Sequence, residues 1–138
     1  ATILESLGEE ATEAEMAKLC LTTKGTKWLG MYHGLSIKLW GTGFKAKFFE
    51  GSANDLQRLT KDHPVLLCCQ LSNEVARAIP KYKDDDGWIP GVQHSVVCFA
   101  ATDDVYLIGD PSQKRMERWS RKDIINLWTG TGLMVTTP

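Results

Sequence analysis

Val92-Gln-His-Ser-Val-Val-Cys-Phe-Ala-Ala101, then Thr102-Asp-Asp104, then Val105-Tyr-Leu-Ile-Gly-Asp110-Pro111, is the passage whose reading decides the fold. Two runs rich in β-branched and aromatic residues flank a short polar turn, which predicts an antiparallel hairpin. Pro111 stops the second strand, because proline has no N–H to give to a ladder. A turn centred on Asp103 sets Val96 opposite Asp110. His94 lies two residues from Val96 and therefore on the same face. His94 and Asp110 become diagonal neighbours, roughly 7 Å apart at Cβ or less, at the end of the hairpin away from the turn.

That pairing permits one specific chemistry. A carboxylate that accepts from one imidazole nitrogen fixes the tautomer and stabilises the imidazolium formed when the other nitrogen takes a proton. A bland reading competes with it. A histidine at a strand start is ordinarily a surface or satisfied core residue, and Asp before Pro is ordinarily a turn residue. Pairing geometry alone does not separate the two. His33 falls mid-helix with no acid in a defined geometry, and His63 precedes Pro64 in a loop beside Asp62.

Working outward, Pro64-Val-Leu-Leu-Cys-Cys-Gln-Leu71 is an unbroken apolar run, expected to be a central strand buried on both faces. Met116–Trp119 and Leu133–Thr137 read as further strands, as does Lys45–Glu50. Between them, Ser120 caps a helix from Arg121 to about Trp128, which Gly130 and Gly132 break. Toward the amino terminus the pattern is helical. Residues 3, 4 and 7 have helical spacing ahead of Gly8. Thr12-Glu-Ala-Glu15 is a capping box for a helix to about Cys20. An amphipathic helix is expected from about Lys27 to Trp40, ended by Gly41 and Gly43. Ser52-Ala-Asn-Asp55 starts a short helix to about Leu59. The polar stretch from Ser72 to Gly91 reads as one long loop, of the kind that is often functional. Helices mainly first and strands mainly later predict an α+β fold with an antiparallel sheet.

Composition bounds the function. At 138 residues the chain suits one domain with one core. A net charge of −1 excludes the basic stripe of a nucleic-acid binder. The acidic run Asp84-Asp85-Asp86 reads as a solvated loop, since the alternating acceptors of a calcium loop are missing. No apolar stretch reaches transmembrane length. The four cysteines, Cys20, Cys68, Cys69 and Cys98, lack zinc-site spacing, so no metal or other cofactor is expected. Cys68 and Cys69 are adjacent within an apolar strand and are expected to be core.

The segments His94-Ser-Val-Val97 and Val105-Tyr-Leu-Ile-Gly-Asp110-Pro111 resemble the His and Asp strands of the bacteriocin-processing, double-glycine peptidases. These are papain-like cysteine peptidases, often the amino-terminal domain of peptide-exporting transporters. Glu13–Cys20 with Thr22–Thr26, Pro64–Leu71 and Leu127–Val135 resemble other parts of that family, so the likeness covers most of the chain. It implies a papain-like fold with amino-terminal helices packed on the sheet, His94 as general base, and Asp110 as its orienting partner. It also implies a peptide or protein substrate cut at a leader, and a place in a larger membrane transporter or membrane-anchored protein.

The family's nucleophile is a cysteine at the start of its first helix, where N–H groups and the helix dipole favour the thiolate. A glutamine shortly before it serves the oxyanion hole. Ala1-Thr-Ile-Leu4 resembles the family segment about one turn after that cysteine, so neither residue is assignable here and the chain is expected to be truncated at its amino terminus. Cys20 falls at a helix C-terminus. Cys98 is four residues along the strand from His94, roughly 13 Å away. The 138 residues by themselves are expected to be inactive, with a non-catalytic dock for a peptide or transporter partner as the alternative. Trp88, just before His94, is read either as the rim of a peptide cleft or as a loop anchor, and Trp28, Trp40, Trp119 and Trp128 as core.

Overall fold

The computed structural model describes residues 2–22, 26–79, 88–111 and 116–137. Three helices come first: α1 (Thr2–Ser6), α2 (Glu13–Leu19) and α3 (Trp28–Lys38). Strand β1 (Lys45–Glu50) follows, then a 3₁₀ turn (Ala53–Asp55) running into α4 (Leu56–Leu59). Next are β2 (Val65–Gln70), α5 (Asn73–Ala78), β3 (Gln93–Ala101), β4 (Val105–Gly109) and β5 (Met116–Ser120). Helix α6 (Arg121–Leu127) and β6 (Trp128–Thr136) close the chain. The strands form one sheet in the order β1-β6-β2-β3-β4-β5, antiparallel at every pairing. The expected α+β fold is the one observed.

Both faces of the sheet are covered, which is why β2 reads as an unbroken apolar run. On one face α1, α2 and α3 pack Ile3, Leu4, Met16, Leu35 and Leu39 against Leu133 and Val135. On the other, α4, α5 and α6 pack Leu56, Ala76, Ile124 and Leu127 against Leu67, Val96, Tyr106 and Ile108. Each fully buried leucine contributes about 1.5–3 kcal/mol relative to exposure, so the two layers carry most of the stability. The expected packing of the amino-terminal helices on the sheet holds, and the opposite face has its own helical cover.

Several local expectations need correction. Ser72 does not open a long loop: its hydroxyl accepts from the Val75 N–H and caps α5, which buries Ala76. Residues 80–87, including the acidic run, lie outside the described residues. Thr12 caps α2 through the Glu15 N–H, but the Glu15 side chain does not reach back to complete a box. It bonds Lys38 of α3 at 2.7 Å instead. Helix α3 is not amphipathic in the expected sense. Leu29, Tyr32, Ile37 and Trp40 are exposed, Trp40 by 88%, so Trp40 is no core residue. The buried face is built on glycine, since a Cβ at Gly34 would lie 2.4 Å from the Cys20 Sγ. Small residues, not large ones, bring α2 and α3 together. Gly130 and Gly132 do not break the chain before a strand either, for both lie inside β6. A Cβ at Gly132 would stand 2.3 Å from the Leu66 carbonyl oxygen and 2.4 Å from the Phe49 ring.

Candidate active site

Strand β3 places His94, and the residue after β4 places Asp110. Near the turn, Ala101 pairs with Tyr106 and Ala100 with Leu107. That register, carried on, would set Asp110 opposite Val97 and turn it away from His94. A β-bulge at Phe99 absorbs one residue, so that Cys98 pairs with Ile108 and Val97 with Gly109. Carried one step beyond the ladder, this register would set Val96 opposite Asp110, with His94 on the same face as Val96. Bulges commonly re-aim side chains in this way beside functional sites. Gly109 makes room for the bulge, because a Cβ there would lie 2.6 Å from the Phe99 ring.

The two side chains meet. His94 Nε2 lies 2.7 Å from Asp110 Oδ1, and the Asp110 side chain is fully buried while that of His94 keeps 13% exposure. Asp110 accepts a second bond from the Trp88 indole N–H at its other oxygen, Oδ2, also at 2.7 Å. A buried carboxylate is tolerable only when its oxygens are so satisfied. With Nε2–H given to the carboxylate, the lone pair of a neutral imidazole sits on Nδ1, the nitrogen able to take a proton. Trp88 lies 4.5 Å from the His94 ring and 5.7 Å from the Trp119 ring, centroid to centroid. It is neither a cleft rim nor a surface anchor, being buried against the pair. Its indole N–H was a legible polar handle; its target was not.

The cysteines behave differently from their spacing. Cys69 is the direct cross-strand partner of His94, a neighbour that the sequence reading missed. It is fully buried, and burial pushes its thiol well above the ordinary range, helped by Cys68, Asp110 and Cys98. Burial also pushes Cys98 up to about 12 and raises Cys20. None of these three thiols has the lowered pKa of a nucleophile. Cys68 is buried as expected. His33 Nδ1 contacts the Leu19 carbonyl, and His63 packs edge-on to Phe44, so neither joins the pair. On the face of the sheet covered by α1, α2 and α3 a cavity of about 560 Å³ runs from Ile3 and Met16 past Val97 and Phe99 to Asp110 and Pro111. Among the described residues, no group of three or more His, Cys, Asp or Glu could hold a metal ion, and no helix is long and apolar enough to cross a membrane.

Solved structures share this architecture. The peptidase domain of Streptococcus ComA, a bi-functional ABC transporter involved in quorum sensing, is 20% identical with a TM-score of 0.72, over 100% of this chain and 87% of that one. The peptidase domain of Streptococcus mutans ComA is 20% identical with a TM-score of 0.61, over 89% and 85%. A double glycine motif protease from an AMS/PCAT transporter, solved with its leader peptide, is 14% identical with a TM-score of 0.64, over 99% and 79%. No family model matches the sequence, and no curated protein matches it. The chain has the fold of these peptidase domains, which is the α+β papain-like fold that the sequence resemblance implies.

Proposed function

We propose that this domain carries the base and the orienting carboxylate of a cysteine peptidase that cuts peptides at a leader. One observation carries the reading: the 2.7 Å bond from His94 Nε2 to a fully buried Asp110 oxygen, on the fold of leader-processing peptidase domains. In this reading Nδ1 of His94 takes the proton of a thiol brought within reach. The thiolate attacks the scissile carbonyl, the imidazolium returns the proton to the leaving amine, and water releases the acyl-enzyme. The thiol comes from outside the 138 residues, because burial keeps Cys69 and Cys98 protonated. The transporter setting of the similar structures supports a peptide-exporting parent.

The test is to express the domain with the residues that precede Ala1 in its own reading frame and to assay cleavage of a double-glycine leader peptide. A cysteine shortly upstream is expected, with His94→Ala lowering kcat/KM by about a hundred- to ten-thousand-fold. No cysteine there, or cleavage indifferent to His94, refutes the catalytic reading.

The lack of an activated thiol favours a second reading, a non-catalytic dock for a peptide or transporter partner. Leader-peptide binding by the 138-residue chain that survives His94→Ala unchanged, with no cleavage by the extended form, supports it.

A further inference from the structure

We propose that Trp88 is a positioning residue, whose indole N–H fixes which oxygen of Asp110 faces His94 and so the orientation in which the carboxylate meets the ring. The inference rests on the reading of His94 and Asp110 as base and orienting carboxylate, and it extends that reading to a residue in another segment. A carboxylate in contact with one histidine can turn about its terminal torsion and present either oxygen. Here the two oxygens are distinguished. Oδ2 is taken by the Trp88 N–H at 2.7 Å, and Oδ1 by His94 Nε2 at 2.7 Å. Indole N–H is a donor only, so the group that faces it must accept. The Trp88 ring cannot move off readily, since it is buried between His94 and Trp119, and the Trp119 N–H is itself committed to Glu117 at 2.9 Å. Either oxygen of the carboxylate would keep Nε2 protonated and leave Nδ1 as the base. While Trp88 holds Oδ2, it is Oδ1 that does so, and the carboxylate plane is fixed against the His94 ring.

Replacing the carboxylate by an amide turns this into an experiment. In the Asp110→Asn variant one end of the side chain accepts and the other donates. If the Trp88 N–H dictates orientation, the amide oxygen faces Trp88 and the amide NH₂ faces His94. Nε2 must then accept, and the ring shifts to the Nδ1–H tautomer. A side chain that merely packs beside the pair would not select the end of the amide that meets His94.

The ratio of the two tautomers is read from imidazole ¹⁵N shifts in the 138-residue chain, at a pH where His94 is neutral. The native chain is expected to hold Nε2–H and Asp110→Asn to invert to Nδ1–H. Adding Trp88→Phe, which keeps a ring but removes the donor, is expected to move the ratio back toward Nε2–H by about three- to ten-fold, the value of one hydrogen bond. Asp110→Asn retaining the native Nε2–H tautomer overturns the proposal, as does a double variant whose ratio matches the single one. Should chains with Trp88→Phe fail to fold, the Asp110→Asn variant is read together with the Trp88 indole N–H resonance: inversion with that N–H still hydrogen-bonded supports the proposal, and lack of inversion or a freed N–H overturns it. A native chain without an Nε2–H excess refutes the His94–Asp110 reading itself, and that outcome is distinct from failure of the Trp88 step.

Discussion

Gly109→Ala tests the device that aligns the candidate site. The added Cβ would lie 2.6 Å from Phe99 Cε2 and 3.4 Å from Cζ. Carbon atoms rest at about 3.5–4.0 Å, so the shorter contact must open by about 1 Å. The ring has somewhere to go, since Phe99 and Gly109 both border the 560 Å³ cavity. Swinging the ring off its rotamer costs about 0.5–1.5 kcal/mol. Moving the strand instead costs about 1–3 kcal/mol, the usual penalty for overpacking. Gly109 does not need a positive φ, so the backbone itself accepts alanine. In a Phe99→Ala background the clash is absent, and Gly109→Ala becomes neutral or stabilising by about 0.5 kcal/mol. A urea-unfolding double-mutant cycle over Phe99 and Gly109 is therefore expected to show a coupling of about 1 kcal/mol or more. Additivity within about 0.3–0.5 kcal/mol would refute the argument that glycine stands at 109 because of the Phe99 ring.

Gly132→Ala should be far worse than Gly109→Ala, because its Cβ meets the Leu66 carbonyl of the central strand at 2.3 Å, and backbone cannot swing aside; loss of soluble folded protein, or about 3 kcal/mol or more in urea unfolding, is expected. Cys69 and Cys98 should resist a thiol reagent at mildly alkaline pH until the chain is denatured, since burial holds both thiols protonated; rapid native-state labelling of Cys69 would contradict its placement under His94. Lys38 holds the Glu15 carboxyl below its ordinary 4.5, so the pair stabilises the fold above that pH and the benefit fades as pH falls through the lowered value. Lys38→Gln should accordingly cost little, because the pair is partly open to solvent, and the native-minus-variant difference in thermal unfolding should shrink in acid.

Much of the sheet was legible because its constraints are local. β1 falls on Lys45–Glu50, the stretch read as a strand, and α6 starts at the Ser120–Asp123 capping box. What could not be read is what depends on contacts distant in sequence. Gly132 carries the signal of a breaker, but Leu66 and Phe49 press on it from two neighbouring strands and leave no room for a side chain. The apolar residues of α3 suggest a single large-residue face, yet α2 approaches so closely at Gly30 and Gly34 that Leu29, Tyr32, Ile37 and Trp40 are left outside while Leu35 and Leu39 are buried. Period alone does not say which face a neighbour will choose. The hairpin register held only in part. A hairpin centred on Asp103 gives the observed pairing of Val97 with Gly109 and Cys98 with Ile108, but the turn end of the ladder is offset by one residue and the bulge at Phe99 restores it.

The pairing that brings a thiol to His94 also explains why proximity is a poor guide to the nucleophile. Cys69 is the residue directly across from His94, yet the central strand that puts it there removes it from water and keeps it protonated. A reactive thiolate needs the opposite surroundings, with unpaired N–H groups and access to substrate. Asp110 is the counterpart case. Burying a carboxylate costs several kcal/mol unless its bonds are made, and an apolar residue of similar volume would avoid that cost altogether. A surface that only docked a peptide would have no use for such a charge beneath its histidine. A general base does, because that carboxylate stabilises the imidazolium it forms. The fully buried Asp110 with its two 2.7 Å bonds therefore weighs toward catalysis, while the four cysteines of the chain weigh against catalysis by these residues alone. Under the proposed function, both weights are met by a thiol that reaches the Nδ1 side of His94 from beyond these residues.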